Sequence, residues 1–195
     1  MLSVWGDEVH TLILVKHSLP EIVENVPASE WELSTEGQSR CKRLADCLVK
    51  YQPNFVVSSV EPKAWKTAEI LATELRLSAQ VIEGLHEHDR NNVGYLPGGK
   101  FQDAIREFFA RPDELVFGSE TAAQTHQRFQ IAINSILSRF PGRTIVVVAH
   151  GTVISLFVSR LTGISDLFLW KELGLPSFVV LDMQSNSLLI KENIQ

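Results

Sequence analysis

Cysteine is scarce: Cys41 and Cys47 are the only two in 195 residues. They lie six apart on what reads as one helix, so at ~1.5 Å rise per residue about 9 Å separates them along its axis. That is beyond disulfide reach, and both read as free thiols of a reducing compartment. The sequence has no CxxC and no Cys/His spacing of the kind that binds metal. No apolar run approaches the ~20 residues of a membrane-spanning helix. The opening MLSVWGDEVH lacks the basic and apolar regions of a signal peptide. Positive charge is also short, with 18 Lys and Arg against 23 Asp and Glu and a net charge of −5. This balance argues against broad attraction to nucleic acid or an anionic membrane, but not against a small positive pocket. Tandem repeats are missing. The expectation is a soluble cytoplasmic protein, a single domain over 1–195, with no cofactor and no metal; the oligomeric state is open.

What is present is an alternation of apolar runs and amphipathic stretches. Thr11–Val15 (TLILV) suits a strand buried on both faces. It stops at Lys16-His17-Ser18, before Pro20. A loop over Ser18–Leu33 leads to a helix start at Ser34 or Thr35, with Cys41, Leu44, Ala45 and Leu48 as one apolar stripe. Phe55–Val57 reads as a short strand ending at Ser58-Ser59. Pro62 then opens a helix with Ala64, Thr67, Ala68, Leu71 and Leu75 inward. Ala79–Ile82 is a third strand. Residues 88–118 break the rhythm with glycines, prolines and a short apolar helix, and are expected to form a lid-like insertion. Ser119 is a candidate cap for the next helix. Thr144–Ala149 is the clearest buried strand, followed at once by His150-Gly151 and a helix. Phe178–Leu181 pairs with Leu188–Ile190 across a turn. Strands alternating with helices predict an α/β fold, a three-layer α/β/α sandwich around a mainly parallel central sheet.

In such sheets ligands gather at the carboxyl ends of the strands. Lys16-His17 and His150-Gly151 each stand there, and Lys63 and Glu87 face the same edge. Two imidazoles, two amines, a carboxyl and the helix N-terminus after His150 suit a phosphoryl group. Cations and free amides hold its oxygens, an imidazole attacks phosphorus and a carboxylic acid protonates the leaving oxygen. Each residue also has a plainer reading: His17 and His150 as polar strand ends, Lys63 as a solvated first-turn lysine like Lys66. Glu83, His88 and Asp89 compete with Glu87. Two further patterns are set aside. Gly94–Lys100 has GxxxxGK spacing, but Phe101 stands where a nucleotide loop needs Ser or Thr, and no buried strand precedes it. His86-Glu87-His88-Asp89 has no HExxH context, and no metal is assigned.

The motifs VKHS, LSTEGQ, SSVEPKAWKTAEILA, LHEHDR, GSET and VVVAHGTVI, in this order, resemble those of the histidine phosphatase (phosphoglycerate mutase-like) superfamily. The resemblance implies that His17 is a nucleophile that becomes phosphohistidine. It implies that His150 stabilises the transferring group and that Glu87 is general acid, then base. Lys16 and Lys63 occupy the places of the family's two phosphate-binding arginines, with Gly151 beside them, and Ser18 replaces a glycine. Lysine is a flexible point charge where arginine is a planar fork. Three functions follow as expectations: a phosphatase acting on a small phosphomonoester, a weakened protein that binds a phosphorylated small molecule or free phosphate, or a phosphoglycerate mutase-type transferase. The 88–118 insertion is the expected specificity element, with Arg90 or Tyr95 as possible substrate contacts.

Overall fold

The computed structural model describes residues 11–195, so the reading of MLSVWGDEVH lies outside the described residues. The strands are β1 (Thr11–Lys16), β2 (Phe55–Ser58), β3 (Ala79–Val81), β4 (Ile145–Ala149), β5 (Ser177–Asp182) and β6 (Ser187–Asn193). The helices are α1 (Thr35–Leu48), α2 (Pro62–Leu75), α3 (Gly98–Ala110), α4 (Ala122–Arg139), α5 (Gly151–Thr162) and α6 (Asp166–Glu172). One six-stranded sheet runs β3-β2-β4-β1-β5-β6. β1, β2, β3 and β4 pair in parallel, and β5 and β6 close the edge as antiparallel neighbours.

The continuous apolar runs of β1 and β4 are explained by period-two alternation between two buried faces. Leu12, Leu14, Ile145 and Val147 pack with α4 and α5 through Phe129, Ile133 and Phe157. Ile13, Val15, Val146 and Val148 pack with α1 and α2 through Leu44, Leu48 and Leu71. This is the expected three-layer α/β/α arrangement. The segment between β3 and α4 carries α3, whose Ile105, Phe108 and Phe109 pack against Leu156 of α5 with Trp170 of α6 alongside. Among the described residues, no helix is long and apolar enough to cross a membrane.

Two local expectations shift. Thr121, not Ser119, caps α4: its hydroxyl accepts from Gln124 N, and the Gln124 side chain returns to Thr121 N. This reciprocal pairing satisfies two otherwise orphaned amides, which a lone serine at 119 would not do. The short helix α6 goes beyond the sequence reading; Ser165 caps it by accepting from Phe168 N.

The start of α1 fixes the loop that follows β1. Ser34 Oγ accepts from Gly37 N and donates to Leu19 O, both at 3.0 Å. Ser18 Oγ donates to Gly37 O at 2.7 Å, and Ser18 N donates to Thr67 Oγ1 at 3.1 Å. A Cβ on Gly37 would lie 2.1 Å from Leu19 O, a backbone atom with no rotamer to escape into. Gly37→Ala is therefore expected to cost at least about 2 kcal/mol, at the overpacking end of core substitutions. A urea midpoint that falls at constant slope checks this; an unchanged midpoint would mean the Leu19 turn is free to move.

Candidate active site

His17 follows β1, and its N–H donates to Ala149 O of β4 at 3.0 Å. His150 follows β4, adjacent to β1 in the sheet, so two neighbouring parallel strands deliver both imidazoles to one edge. Their ring centroids are 5.2 Å apart at 61°. His17 Nδ1 lies 2.7 Å from Ser18 O. A carbonyl only accepts, so Nδ1 carries the hydrogen and Nε2 keeps its lone pair. Burial holds the His17 pKa well below its usual value, helped by His150, Lys63 and Lys16. Burial does the same for His150, with Lys63 adding to it and Glu87 opposing. Both rings are therefore neutral near pH 7. His150 Nε2 shares a 2.8 Å hydrogen bond with Ser59 Oγ, while its buried Nδ1 has no partner among the described residues.

The two lysines reach the site but are not idle there. Lys16 Nζ donates to Leu173 O at 2.7 Å. Burial lowers its pKa to about 8, against an opposing pull from Glu87. Gly151 gives it passage: a Cβ there would stand 3.2 Å from Lys16 Cε. Lys63 Nζ donates to Ala28 O at 2.6 Å and is ion-paired with Glu61. Both partners of that pair are almost fully buried.

Glu87 is drawn to the start of α5. Its carboxylate accepts from Thr152 N at 3.1 Å, Val153 N at 3.3 Å and its own neighbour His88 N at 2.9 Å. Burial raises its pKa, but His150, Arg90 and those amides outweigh it and the net direction is down. The amides at the start of α5, expected to be free for an anion, thus already hold one, and Glu87 rests as a carboxylate. Arg128 keeps the segment in place, donating to Gly84 O and His86 O at 2.9 Å and Glu87 O at 3.1 Å while paired with Glu120.

Glu61 escaped the sequence reading. Its Oε1 accepts from Glu87 N at 2.7 Å and lies 3.4 Å from His150 Nε2, while Oε2 meets Lys63. The available signal was a carboxylate two residues before a candidate phosphate-binding lysine, in the stretch Ser58–Lys63 that leaves a buried strand. Ser59 and Arg128 were missed as well; nothing in a single sequence joins either to a partner that far along the chain.

The other candidates separate. His88 is held by its own contacts in the cavity wall: its ring packs on Phe108 and Phe117 at 4.3 and 4.7 Å, and Nε2 meets Glu120 O. Its neighbour Glu87 points to α5 instead. Among the described residues no three His, Cys, Asp or Glu side chains are grouped to hold a metal ion. Gly98 and Gly99 open α3 behind Pro97, a helix start without a preceding strand.

A cavity of about 940 Å³ opens at this edge, lined by Lys16, His17, Lys63, Glu87, Arg90 and His150 among others. The Arg90 guanidinium lies over the Phe101 ring at 4.7 Å. Its Nη1 is buried without a hydrogen-bond partner among the described residues.

The curated relatives are distant. The chain is 25% identical over 173 residues to the metal-independent phosphoserine phosphatase of Arabidopsis thaliana, covering 82% of this chain and 71% of that one. It is 20% identical over 131 residues to the uncharacterized phosphatase PhoE of Bacillus subtilis (strain 168), covering 67% and 65%. It is 28% identical over 137 residues to phosphoglycerate mutase-like protein 4 of Arabidopsis thaliana, covering 66% and 60%. The chain thus spans under two thirds of the length of the last two. Among solved structures, the native mycobacterial glucosyl-3-phosphoglycerate phosphatase shares the fold with a TM-score of 0.72 at 22% identity, over 93% of this chain and 96% of that one. Residues 12–193, from the second residue of β1 to the end of β6, match the histidine phosphatase superfamily (branch 1), and the chain belongs to that superfamily.

Proposed function

We propose that the protein hydrolyses a phosphomonoester through a phosphohistidine on His17, without a metal or organic cofactor. The observation that carries this reading is the tautomer: Nδ1–H is held by Ser18 O, so a neutral ring offers its Nε2 lone pair beside His150. Relatives named as phosphatases, one of them metal-independent, support it. In the first step Nε2 forms a bond to phosphorus as the ester P–O bond breaks, and the leaving oxygen takes a proton from Glu87. Glu87 rests ionised, so that proton arrives with a monoanionic ester, or is taken up once a phosphoryl charge stands beside the carboxylate. In the second step Glu87, again a carboxylate, accepts a proton from water as the water oxygen displaces the histidine. His150, Lys16 and Arg90 face the phosphoryl oxygens, Arg90 with the fork geometry that neither lysine has. Residues 88–118, which include α3, serve as the lid over a single domain.

Acid-labile, base-stable phosphate on the His17 peptide, trapped by alkaline quenching during turnover of an aryl phosphate and read by mass spectrometry, is the expected result. A second reading, phosphate binding with little turnover, is favoured by one feature: Glu87 rests ionised on the Thr152 and Val153 amides, so it holds no proton for a leaving oxygen. Phosphate binding with no trapped adduct and no turnover would select it.

The Lys16 amine also gives the pH profile a particular shape. A buried lysine with a pKa of about 8 loses its charge just above neutrality, where an arginine would not. The free-enzyme profile, kcat/KM, is expected to fall above pH 8, by roughly tenfold at one unit above that pKa. Lys16→Arg should remove this alkaline limb. A wild-type profile that is flat to pH 9.5 would show that the Lys16 charge does not face the substrate.

A further inference from the structure

The cavity is much larger than a phosphoryl group. Its volume of about 940 Å³ is near the upper end of the roughly 300–1,000 Å³ of sites for drug-sized ligands. Beyond the histidines its wall carries four aromatic rings from separate parts of the chain: Trp31 from the loop before α1, Tyr95 from the loop before α3, Phe101 from α3 and Trp170 from α6. They fall into two pairs, Trp31 with Tyr95 at 6.5 Å and Phe101 with Trp170 at 5.7 Å. The indole N–H of Trp31 is spent on its own loop, donating to Val23 O and Val26 O, each at 3.0 Å. Only ring surface is left for a ligand. Ile22 and Tyr95 extend the apolar wall to the outside, at 58% and 41% exposure. The remaining charged lining includes carboxylates at Glu24, Glu83 and Asp89. A small hydroxy acid would leave these rings wet and would bring a second negative charge toward those carboxylates.

Resting on the phosphatase reading above, we infer that the alcohol part of the substrate is bulky, flat-faced and largely apolar, with no second anionic group. The aromatic wall then supplies binding energy remote from the reacting centre.

The test must not confuse fit with leaving-group reactivity, so it uses primary alkyl esters. The full chain, without added metal, is offered 2-(1-naphthyl)ethyl phosphate, ethyl phosphate and 3-phosphoglycerate, with 4-nitrophenyl phosphate as the control for the site itself. The expected kcat/KM for the naphthylethyl ester is at least tenfold above both other alkyl esters. Trp31→Ala and Tyr95→Ala should each lower kcat/KM for the naphthylethyl ester several-fold more than for ethyl phosphate, removing most of that advantage. Equal values for the naphthylethyl and ethyl esters, or a preference for 3-phosphoglycerate, would overturn the inference even if 4-nitrophenyl phosphate is turned over. If nothing is hydrolysed, the phosphatase reading falls, and the inference is decided by binding. 3-(1-Naphthyl)propylphosphonate should then bind at least tenfold more tightly than propylphosphonate by calorimetry. Equal binding overturns it.

Discussion

His17→Ala is expected to lower kcat for an aryl phosphate at least 10³-fold, about 4 kcal/mol of barrier, while phosphate still binds. The size follows from the chemistry. Without Nε2 no covalent intermediate forms, and water must attack phosphorus directly with only positioning and charge to help it. The fold should survive. His17 lines the cavity, so truncation extends an existing space rather than opening a sealed one. Among the described residues its one side-chain hydrogen bond goes to the adjacent carbonyl of Ser18. Lys16, Arg90 and His150 remain to hold phosphate, so calorimetry with inorganic phosphate should show binding within a few-fold of wild type. Turnover that survives the substitution would remove the phosphohistidine. Loss of both binding and turnover, with an intact thermal transition, would instead make His17 a ligand to the phosphoryl oxygens.

The layers were legible because their signals are local. An unbroken apolar run such as Leu12–Val15 or Val146–Val148 specifies a strand covered on both sides, and the stripes of α1 and α2 specify one buried helix face each. The convergence of His17 and His150 was legible too, since both directly end such strands. What stayed hidden was how the charges share partners. Sequence shows that Lys63, Glu61, Glu87 and His150 exist; it does not show that Glu61 bridges the other three, because that depends on the Lys63 amine, the Glu87 backbone amide and the His150 ring, from three separate parts of the chain, meeting in a buried space. Glu87 illustrates the same limit. Its place after β3 suggested a proton donor over the cavity, but the start of α5 offers it amides and draws it down as an anion. The cap at Thr121 and the helix α6 were missed for a simpler reason: short polar signals at helix ends are abundant, and packing selects among them.

Glu61→Gln separates the demands that this buried carboxylate serves, and its expected effects run in opposite directions. The amide can still accept from Glu87 N through Oε1, so the Glu87 segment should keep its position. The negative charge beside Lys63 and His150 disappears. At about 5 Å and an effective dielectric near 20, two like charges repel by about 3 kcal/mol. Part of that is returned as groups rearrange, which leaves an expected gain in inorganic phosphate affinity of about tenfold or more. Without phosphate the same change leaves the Lys63 ammonium buried with Ala28 O as its one remaining partner among the described residues, a loss of about 3–5 kcal/mol by analogy with other broken buried pairs. The variant should therefore melt well below wild type in plain buffer and recover steeply as phosphate is added, since a ligand bound only by the folded state stabilises it by mass action. Thermal unfolding across a phosphate series reads both effects at once. A variant that melts lower and gains nothing from phosphate would mean that Lys63 is structural, and that Glu61 is present to hold the lysine and the Glu87 amide rather than to compete with the anion. A steep recovery would make Lys63 a phosphate ligand held in reserve by its own carboxylate, with substrate binding in the wild type coupled to exchange of that partner.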